Sequence, residues 1–216
     1  MKVLVGTDFH GKESVFKAFA ETAEQNNVDA MAVCGDVTHF GSLQEAQRLL
    51  TLLTDLRIPV LFVPGNCDPP SLAEANIKGA TCIHGKNVSI GDLAFMGVGA
   101  SPPTPFNTPF ELAEGEIMET LVQASKNLPV ARWVVLVSHA PPFGTQLDKT
   151  SSGLHVGSSS VRAFIEERQP SAVFCGHVHE AKGRDRIGAT LIANPGPARH
   201  GDYTVASFNA KLSLEP

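Results

Sequence analysis

The chain has 216 residues, and its 17 Lys and Arg residues against 22 Asp and Glu residues give a formal net charge of −5. Hydrophobic residues make up 43% and charged residues 18%, an ordinary globular composition that excludes an intrinsically disordered chain. A chain of this length suits a single domain over residues 1–216 and buries enough surface to fold without disulfides. The net negative charge disfavours electrostatic binding of extended nucleic acid to the protein as a whole.

No apolar run approaches the ~18 residues that a membrane span needs, and the N-terminal residues turn polar too early for a signal peptide. We therefore expect no membrane partner. The cysteines are widely spaced and include no C-x-x-C pair, which disfavours a zinc knuckle and a disulfide framework. Together these features predict a reduced, cytoplasmic protein.

The first third of the chain alternates short apolar runs with amphipathic segments. It predicts strands over residues 2–5, 30–34 and 58–63, and helices over residues 13–26 and 43–56. This β-α-β-α-β order favours parallel strands joined by right-handed helical crossovers. Each predicted strand ends in a polar loop.

The middle of the chain predicts short strands over residues 81–84, 87–90 and 93–98, whose glycine-containing turns favour antiparallel pairing. The proline-rich residues 101–109 are expected to form a loop, which is either a rigid connection or the border of a site. A predicted helix over 111–126 and a strand over 132–137 follow. The last third predicts a helix over 158–168 and strands over 172–175, 189–193 and 203–208. The elements indicate one α/β domain.

Polar clusters follow five of the predicted strands. They are Asp8 with His10, Asp36, Asn66 with Asp68, His139, and His177 with His179. These side chains can converge, because the C-terminal loops of neighbouring strands share one edge of a sheet. Asp, Asn and His donors suit Mn, Fe, Zn, Ni or Co better than Ca. Any one cluster alone is explained equally well by a turn, a helix cap or a structural histidine, but the full series indicates a metal site.

The series resembles the signature of the calcineurin-like metallophosphoesterase family. Its motifs are D-x-H at Asp8 and His10, G-D at Gly35 and Asp36, G-N-x-D from Gly65 to Asp68, a lone His139, and G-H-x-H from Gly176 to His179. The resemblance spans nearly the whole chain. It implies an α/β fold, a four-layer α/β/β/α sandwich of two mixed β-sheets flanked by helices.

The resemblance also implies two divalent metal ions, with Mn favoured and Fe, Zn, Ni, Co or Mg as alternatives. Asp8, His10 and His179 would hold one ion, Asn66, His139 and His177 the second, and Asp36 would bridge them. Two such ions lower the pKa of a shared water, and the resulting hydroxide is placed for in-line attack on phosphorus. The implied activity is phosphoester hydrolysis, with Asp36, Asn66 and His139 as catalytic residues.

One position departs from the family pattern. Many members have His after the Asn of G-N-H-D/E, and that His protonates or stabilises the leaving oxygen, whereas this chain has Cys67. A thiol with an ordinary pKa near ~8.5 is a weaker donor than an imidazolium. Either Cys67 simply packs beside the site, or it reflects a preference for good leaving groups, as in similar phosphodiesterase branches. Asp68, with no imidazole to hold, is expected to cap backbone amides.

Further candidates for substrate contact accompany Cys67. They are His39, His155, Arg199 and His200. The helix that follows His155 could receive a phosphate at its N-terminus, or its Ser residues could act as plain N-caps. For each candidate, a solvated loop residue is the competing interpretation. The loops over residues 101–109 and 145–157 are the segments expected to set the substrate.

The leading prediction is a metal-dependent phosphodiesterase that acts on a small phosphoester. A phosphomonoesterase of the same fold is the first alternative. A non-catalytic scaffold is the second, disfavoured because all of the candidate ligands are present. A nuclease for long DNA or RNA is weaker still, because the chain lacks a basic channel. The oligomeric state stays open, a homodimer included.

Overall fold

The computed structural model describes residues 1–215 and shows two six-stranded sheets packed face to face. The strands are β1 Lys2–Gly6, β2 Ala30–Val33, β3 Val60–Phe62, β4 Ala80–Cys82, β5 Asn87–Ile90, β6 Leu93–Val98, β7 Trp133–Ser138, β8 Ala172–Phe174, β9 Gly183–Ile187, β10 Thr190–Asn194, β11 Thr204–Phe208 and β12 Leu212–Glu215. The α-helices are α1 Glu13–Gln25, α2 Leu43–Thr51, α3 Glu114–Ser125 and α4 Ser159–Arg168.

Both sheets are mixed. The first has the order β12-β11-β1-β2-β3-β4, in which β1 to β4 are parallel and β11 runs antiparallel to both of its neighbours, β1 and β12. The second has the order β5-β6-β7-β8-β10-β9, in which only the edge strands β5 and β9 run antiparallel to their neighbours. Helices α1 and α2 cover the outer face of the first sheet, and α3 and α4 cover that of the second. The predicted four-layer sandwich is confirmed.

Side-chain alternation along the strands builds three apolar layers. In the first sheet, Leu4 and Met31 pack under α1 and α2, whereas Val5 and Ala32 pack between the sheets. The second sheet alternates in the same way between the inter-sheet layer and the layer under α3 and α4. Strands covered on both faces need apolar residues at every position, which explains their continuous apolar runs.

The structure corrects three of the secondary-structure predictions. The helix predicted over 43–56 ends at Thr51, and a 3-10 turn at Thr54–Leu56 followed by left-handed Arg57 lets the chain reverse into β3. The strand predicted over 81–84 is β4, which joins the first sheet parallel to β3 because Ala80 and Cys82 complete the layer under α2. Only β5 and β6 form the expected antiparallel pair. Strands β9 and β12 were not predicted.

Loops at the carboxyl ends of the central strands are joined by backbone hydrogen bonds. Asp8 N donates to Gly35 O at 3.1 Å and His10 N to Asp36 O at 2.9 Å, which ties the loop after β1 to the loop after β2. Gly176 N donates to His139 O at 3.0 Å, which ties the loop after β8 to the loop after β7. These bonds gather the predicted polar clusters at one edge of the sandwich.

No helix among residues 1–215 combines the length and apolar character needed to cross a membrane.

Candidate metal centre

The first group of side chains lies between the loops after β1, β2 and β8. His10 Nε2 is 3.1 Å from His179 Nε2 and 3.9 Å from Asp8 Oδ1. His179 Nε2 is 3.3 Å from Asp8 Oδ1, and Asp36 Oδ2 lies 3.7 Å from His10 Nε2. One donor atom from each of these four residues lies within 4.8 Å of all the others.

The second group lies beside the first. Asn66 Oδ1 is 2.8 Å from both His139 Nε2 and His177 Nδ1. Asp36 Oδ1 lies 3.5 Å from His139 Nε2, so one oxygen of Asp36 faces each group. The other ring nitrogen of His139 lies 2.8 Å from Cys34 O and donates to it, which leaves Nε2 free as a ligand. The structure thus brings all of the predicted ligand residues together.

The arrangement fits divalent metal ions. With metal–donor bonds of about 2.1 Å, adjacent donors in a four- to six-coordinate shell lie about 3.0–3.4 Å apart, close to the spacings in both groups. Asp8 and Asp36 are almost fully buried, and within residues 1–215 their ion-pair partners are histidines alone. Buried carboxylates are stable when they are paired or coordinate a cation.

Burial sets the protonation of this cluster. It lowers the pKa of both His10 and His177 to about 3, so both are neutral imidazoles, the form that binds metal. Burial also raises the pKa of Asp36 to about 7, since a buried carboxylate resists ionisation without a cation. Burial acts in the same direction on Asp8, but its contact with His179 and the facing imidazoles holds the pKa of Asp8 well below its usual range.

The backbone around the ligands is strained and tightly packed. Asp8, His10, Asp36 and His177 have φ values of 58°, 51°, 51° and 68°, in the left-handed region that few non-glycine residues adopt. A Cβ at Gly65 would collide with Asp36, so the glycine of the G-N-x-D motif lets the loop after β3 approach this carboxylate. The motif glycine therefore has a packing role beside the ligands.

Asp68 caps backbone amides, as predicted. Its carboxylate accepts hydrogen bonds from Gly65 N, Val37 N and Thr38 N. Cys67 is buried beside Asn66, and its backbone N–H donates to Asp36 Oδ1 at 2.9 Å. Burial raises the pKa of the Cys67 thiol well above its ordinary value, so the thiol is a poor proton donor.

The other substrate-contact candidates lie at different places around the site. The rings of His39 and His10 are 5.2 Å apart, and a donor atom of His39 lies within 4.8 Å of Cys67 Sγ. Arg199 Nη2 is 3.1 Å from His179 Nδ1, which puts a guanidinium beside the first group. His200 is exposed, and no hydrogen bond or ion pair among residues 1–215 joins its side chain to the ligands.

A cavity of about 700 Å³ opens beside the second group, with Asn66 and His177 in its wall. This cavity is lined by both of the loops that were expected to determine the substrate. The first loop, over residues 101–109, contributes residues 102–106, and the second, over residues 145–157, contributes residues that include His155. Much of the wall is apolar, formed by prolines and by Phe106, Phe143 and Leu154. The proline-rich loop therefore borders the site, as one of its two sequence interpretations proposed.

The N-terminus of α4 is already filled by a carboxylate. Glu114 accepts hydrogen bonds from Ser158 Oγ, Ser159 N and Ser160 N, and Ser158 Oγ accepts one from Val161 N. This arrangement supports helix capping over phosphate binding at that position.

Comparison with known proteins agrees with the fold and the motif series. The sequence profile of the family described as calcineurin-like phosphoesterase matches residues 1–181. The chain belongs to this family. Members of this family are metal-dependent. In this phosphoesterase, a metal ion could be held by the cluster of Asp8, His10, Asp36 and His179.

Individual relatives of this phosphoesterase cover most of its length. The protein named "Uncharacterized protein MJ1162" of Methanocaldococcus jannaschii is 40% identical over 211 residues, covering 94% of this chain and 91% of that protein. A "Probable cyclic nucleotide phosphodiesterase" of Vesicomyosocius okutanii subsp. Calyptogena okutanii is 25% identical over 193 residues, covering 85% and 76%. The crystal structure of TT1561 of Thermus thermophilus aligns with a TM-score of 0.75 at 18% identity, covering 99% of this chain and 97% of that chain, and shares the fold.

One residue of the phosphoesterase site escaped the sequence analysis. Asp148 is fully buried beneath the second cavity loop and accepts a 2.7 Å hydrogen bond from His155 Nδ1. It follows a short polar stretch with no motif around it. Its burial and its pairing with His155 are visible only in the folded chain.

Proposed function

We propose that this phosphoesterase hydrolyses small phosphodiesters at a centre of two divalent cations. The observation that carries the proposal is the placement of Asp36, which directs one carboxylate oxygen at each of two adjacent donor groups. When bound, the cations would lower the pKa of a shared water and offset negative charge on the phosphoryl oxygens. Mn²⁺ is the favoured ion, because the donor set mixes carboxylate and amide oxygens with imidazole nitrogens.

The protein residues have separate tasks in this proposal. Asp8 and Asp36 supply the negative charge that attracts the cations, and neutral His10 and His177 supply nitrogen ligands. His139, fixed by its hydrogen bond to Cys34 O, presents Nε2 as a ligand 2.8 Å from Asn66 Oδ1, the ligand atom that Asn66 offers at the cavity wall. A phosphoester bound there would have its phosphorus near Asn66 and its organic group against the prolines and phenylalanines.

The cavity wall favours a diester with an aryl or nucleobase-like group. Apolar and aromatic surface next to a charged centre suits a ligand with one anionic and one hydrophobic part. The name of the relative from Vesicomyosocius okutanii, at 25% identity, points to the same ester class. We therefore propose a small phosphoester as the partner, rather than an extended nucleic acid or a membrane.

The test compares an aryl phosphodiester with the matching aryl phosphomonoester, using protein loaded with Mn²⁺. We expect faster cleavage of the diester. Asp36→Ala and His139→Ala should each lower activity by about 100-fold and reduce bound Mn²⁺, because each removes a ligand. Asp55→Ala, which removes an exposed carboxylate outside the site, is the matched control.

Each other outcome contradicts part of the proposal. Faster cleavage of the monoester would favour a phosphomonoesterase. No cleavage of either ester and no bound metal would favour a non-catalytic scaffold. Full activity in both ligand variants would refute the two-cation centre.

A further inference from the structure

The proposed diester hydrolysis needs a proton donor for the leaving oxygen, and the G-N-x-D motif does not supply one. Cys67 stands at the position next to Asn66, where many family members have an imidazole, and a thiol is a weak hydrogen-bond and proton donor. Asp68 is occupied by backbone donors on both of its oxygens. The proton therefore has to come from another element.

Asp148 and His155 form a carboxylate–imidazole pair in the second cavity loop. Asp148 is fully buried and also accepts hydrogen bonds from Gly144 N at 3.0 Å, Thr145 N at 2.9 Å and Gly157 N at 3.1 Å. Backbone N–H groups can only donate, so Asp148 acts as an acceptor in each of these contacts. The 2.7 Å contact from His155 Nδ1 is therefore a donated hydrogen bond, which fixes the ring and leaves Nε2 as its second functional atom.

His155 lines the cavity in which a leaving group would lie. It lines the same cavity as Asn66 and His177, with about a third of its side chain exposed. The ring of Phe143 packs edge-on against it at 5.9 Å. Other titratable groups around this loop include Lys149 on the loop itself, Glu180, which accepts from Ser151 N, and His177 across the cavity.

His39 is the competing donor and is less well supported. A donor atom of His39 lies within 4.8 Å of Cys67 Sγ. Its ring also contacts the rings of His10 at 5.2 Å and Phe40 at 4.7 Å. No carboxylate among residues 1–215 forms a hydrogen bond or ion pair with His39, so its ring lacks the fixed direction that a general acid needs.

Resting on the proposed phosphodiesterase function, we propose that His155 is the general acid of this enzyme and that Asp148 is its positioning residue. Water adds to phosphorus as the bond from phosphorus to the leaving oxygen breaks. The electron pair of that bond stays on the leaving oxygen, which takes the proton from His155 Nε2. The products are an alcohol and a phosphomonoester. The proton that the attacking water released then reprotonates His155.

The test uses two phosphodiesters that differ only in the leaving group, one a nitrophenol and the other a simple alcohol. A nitrophenolate leaves without protonation, whereas an alkoxide needs a proton from an acid. In His155→Ala we expect kcat to fall by about 100-fold on the alkyl ester and by much less on the aryl ester. Added imidazole should restore part of the alkyl activity. Lys149→Ala, on the same loop and exposed, is the control.

A second readout does not depend on activity. In metal-free protein, proton NMR should show a downfield His155 Nδ1–H resonance from the hydrogen bond to Asp148, and it should be missing from His155→Ala. Bound Mn²⁺ and melting temperature should match wild type in that variant.

Equal losses on both esters, no loss on either, or absence of the downfield resonance in wild type would overturn the proposal for His155. Loss confined to the alkyl ester in His39→Ala instead would overturn it in favour of His39. If wild-type protein cleaves neither diester, the proposed phosphodiesterase function is contradicted as well. This outcome distinguishes a failure of the proposed function from a failure of the His155 proposal alone.

Discussion

Asp68 offers a direct test of how the cation-binding loops are held together. In family members with His after the Asn, the equivalent carboxylate is expected to hold that imidazole, but here Asp68 joins two backbone segments. Its Oδ1 accepts from Thr38 N at 2.7 Å and Thr38 Oγ1 at 2.8 Å, and its Oδ2 accepts from Gly65 N at 2.8 Å and Val37 N at 3.0 Å. Asp68→Ala removes every one of these acceptors.

The cost follows from the donors left behind. Val37, Thr38 and Gly65 are buried, so their N–H groups lose their partners away from water. Each orphaned donor costs about 1–3 kcal/mol, and relaxation or an entering water recovers part of the sum. We expect Asp68→Ala to lower the free energy of unfolding by about 3–5 kcal/mol, at the upper end of single-substitution effects. Asp68→Asn keeps one acceptor oxygen and should lose about 2 kcal/mol.

Urea unfolding of metal-free protein measures this cost without the added effect of lost cations. Asp55→Ala, an exposed aspartate on a surface turn, should change stability by less than about 0.5 kcal/mol. A loss below about 1 kcal/mol in Asp68→Ala would refute the capping argument. It would mean that the loops after β2 and β3 are held by their backbone bonds to neighbouring loops alone.

Three more predictions test other parts of the molecule. Partial burial tends to raise the pKa of Glu114, but hydrogen bonds from the start of α4 outweigh it and lower the pKa. The stability that this carboxylate adds is therefore present above the unfolded pKa and is lost as the pH falls through the lower folded pKa. The gap in unfolding free energy between wild type and Glu114→Gln, about 1 kcal/mol at pH 7, should therefore shrink as the pH falls below about 4.5; a gap that stays constant from neutral to acid pH would contradict it. Phe106 is 79% exposed in the cavity wall, so Phe106→Ala should raise KM for an aryl diester about tenfold while the melting temperature holds, and an unchanged KM would argue against an aryl site. Mn²⁺ at about 100 times its Kd should raise the melting temperature by about 6–10 °C for each bound ion, reversibly with EDTA, and the absence of any shift would count against the metal centre.

The centre of the fold was predictable because burial on both faces leaves a clear pattern. Strands β1, β2 and β7 are continuous apolar runs, and each ends in a motif whose polar residues cannot belong to the core. The polar residues follow the strands directly, so their convergence at one edge could be predicted from parallel strand order. Their assignment to two metal ions came from the family resemblance and stays a prediction. The structure shows that the donor atoms lie in two adjacent groups.

The edges of the fold could not be predicted in this way. Strand β9 contains Arg184, Asp185 and Arg186, a sequence with no apolar alternation, and it forms because β10 offers an edge to pair with. Strand β4 follows a glycine turn, as β5 does, yet joins the other sheet. Edge pairing depends on contacts distant in sequence, which local patterns do not contain.

The same limit applies to the cavity. Glu114 fills the N-terminus of a helix that lies more than 40 positions later in the chain. Asp148 forms its hydrogen bonds to His155 and to backbone N–H groups only when its loop has folded around it. Neither contact has a local signature, so sequence reasoning left phosphate binding open at a helix end that is already capped, and it named His155 without its carboxylate partner.

The site therefore consists of two parts with different supports. The proposed cation ligands Asp8, Asp36 and His177 have strained left-handed backbone conformations, each costing on the order of 1 kcal/mol, and backbone bonds between strand ends hold them in place. The cavity loops are held separately, the proline-rich loop by Glu111 and the second loop by Asp148. An acid at position 67 would be fixed to the cation-binding part and would serve any leaving group in the same way. A donor at His155 would belong to the loop proposed to contact the substrate, so a change in that loop would alter substrate fit and leaving-group protonation together while the proposed cation ligands stay unchanged.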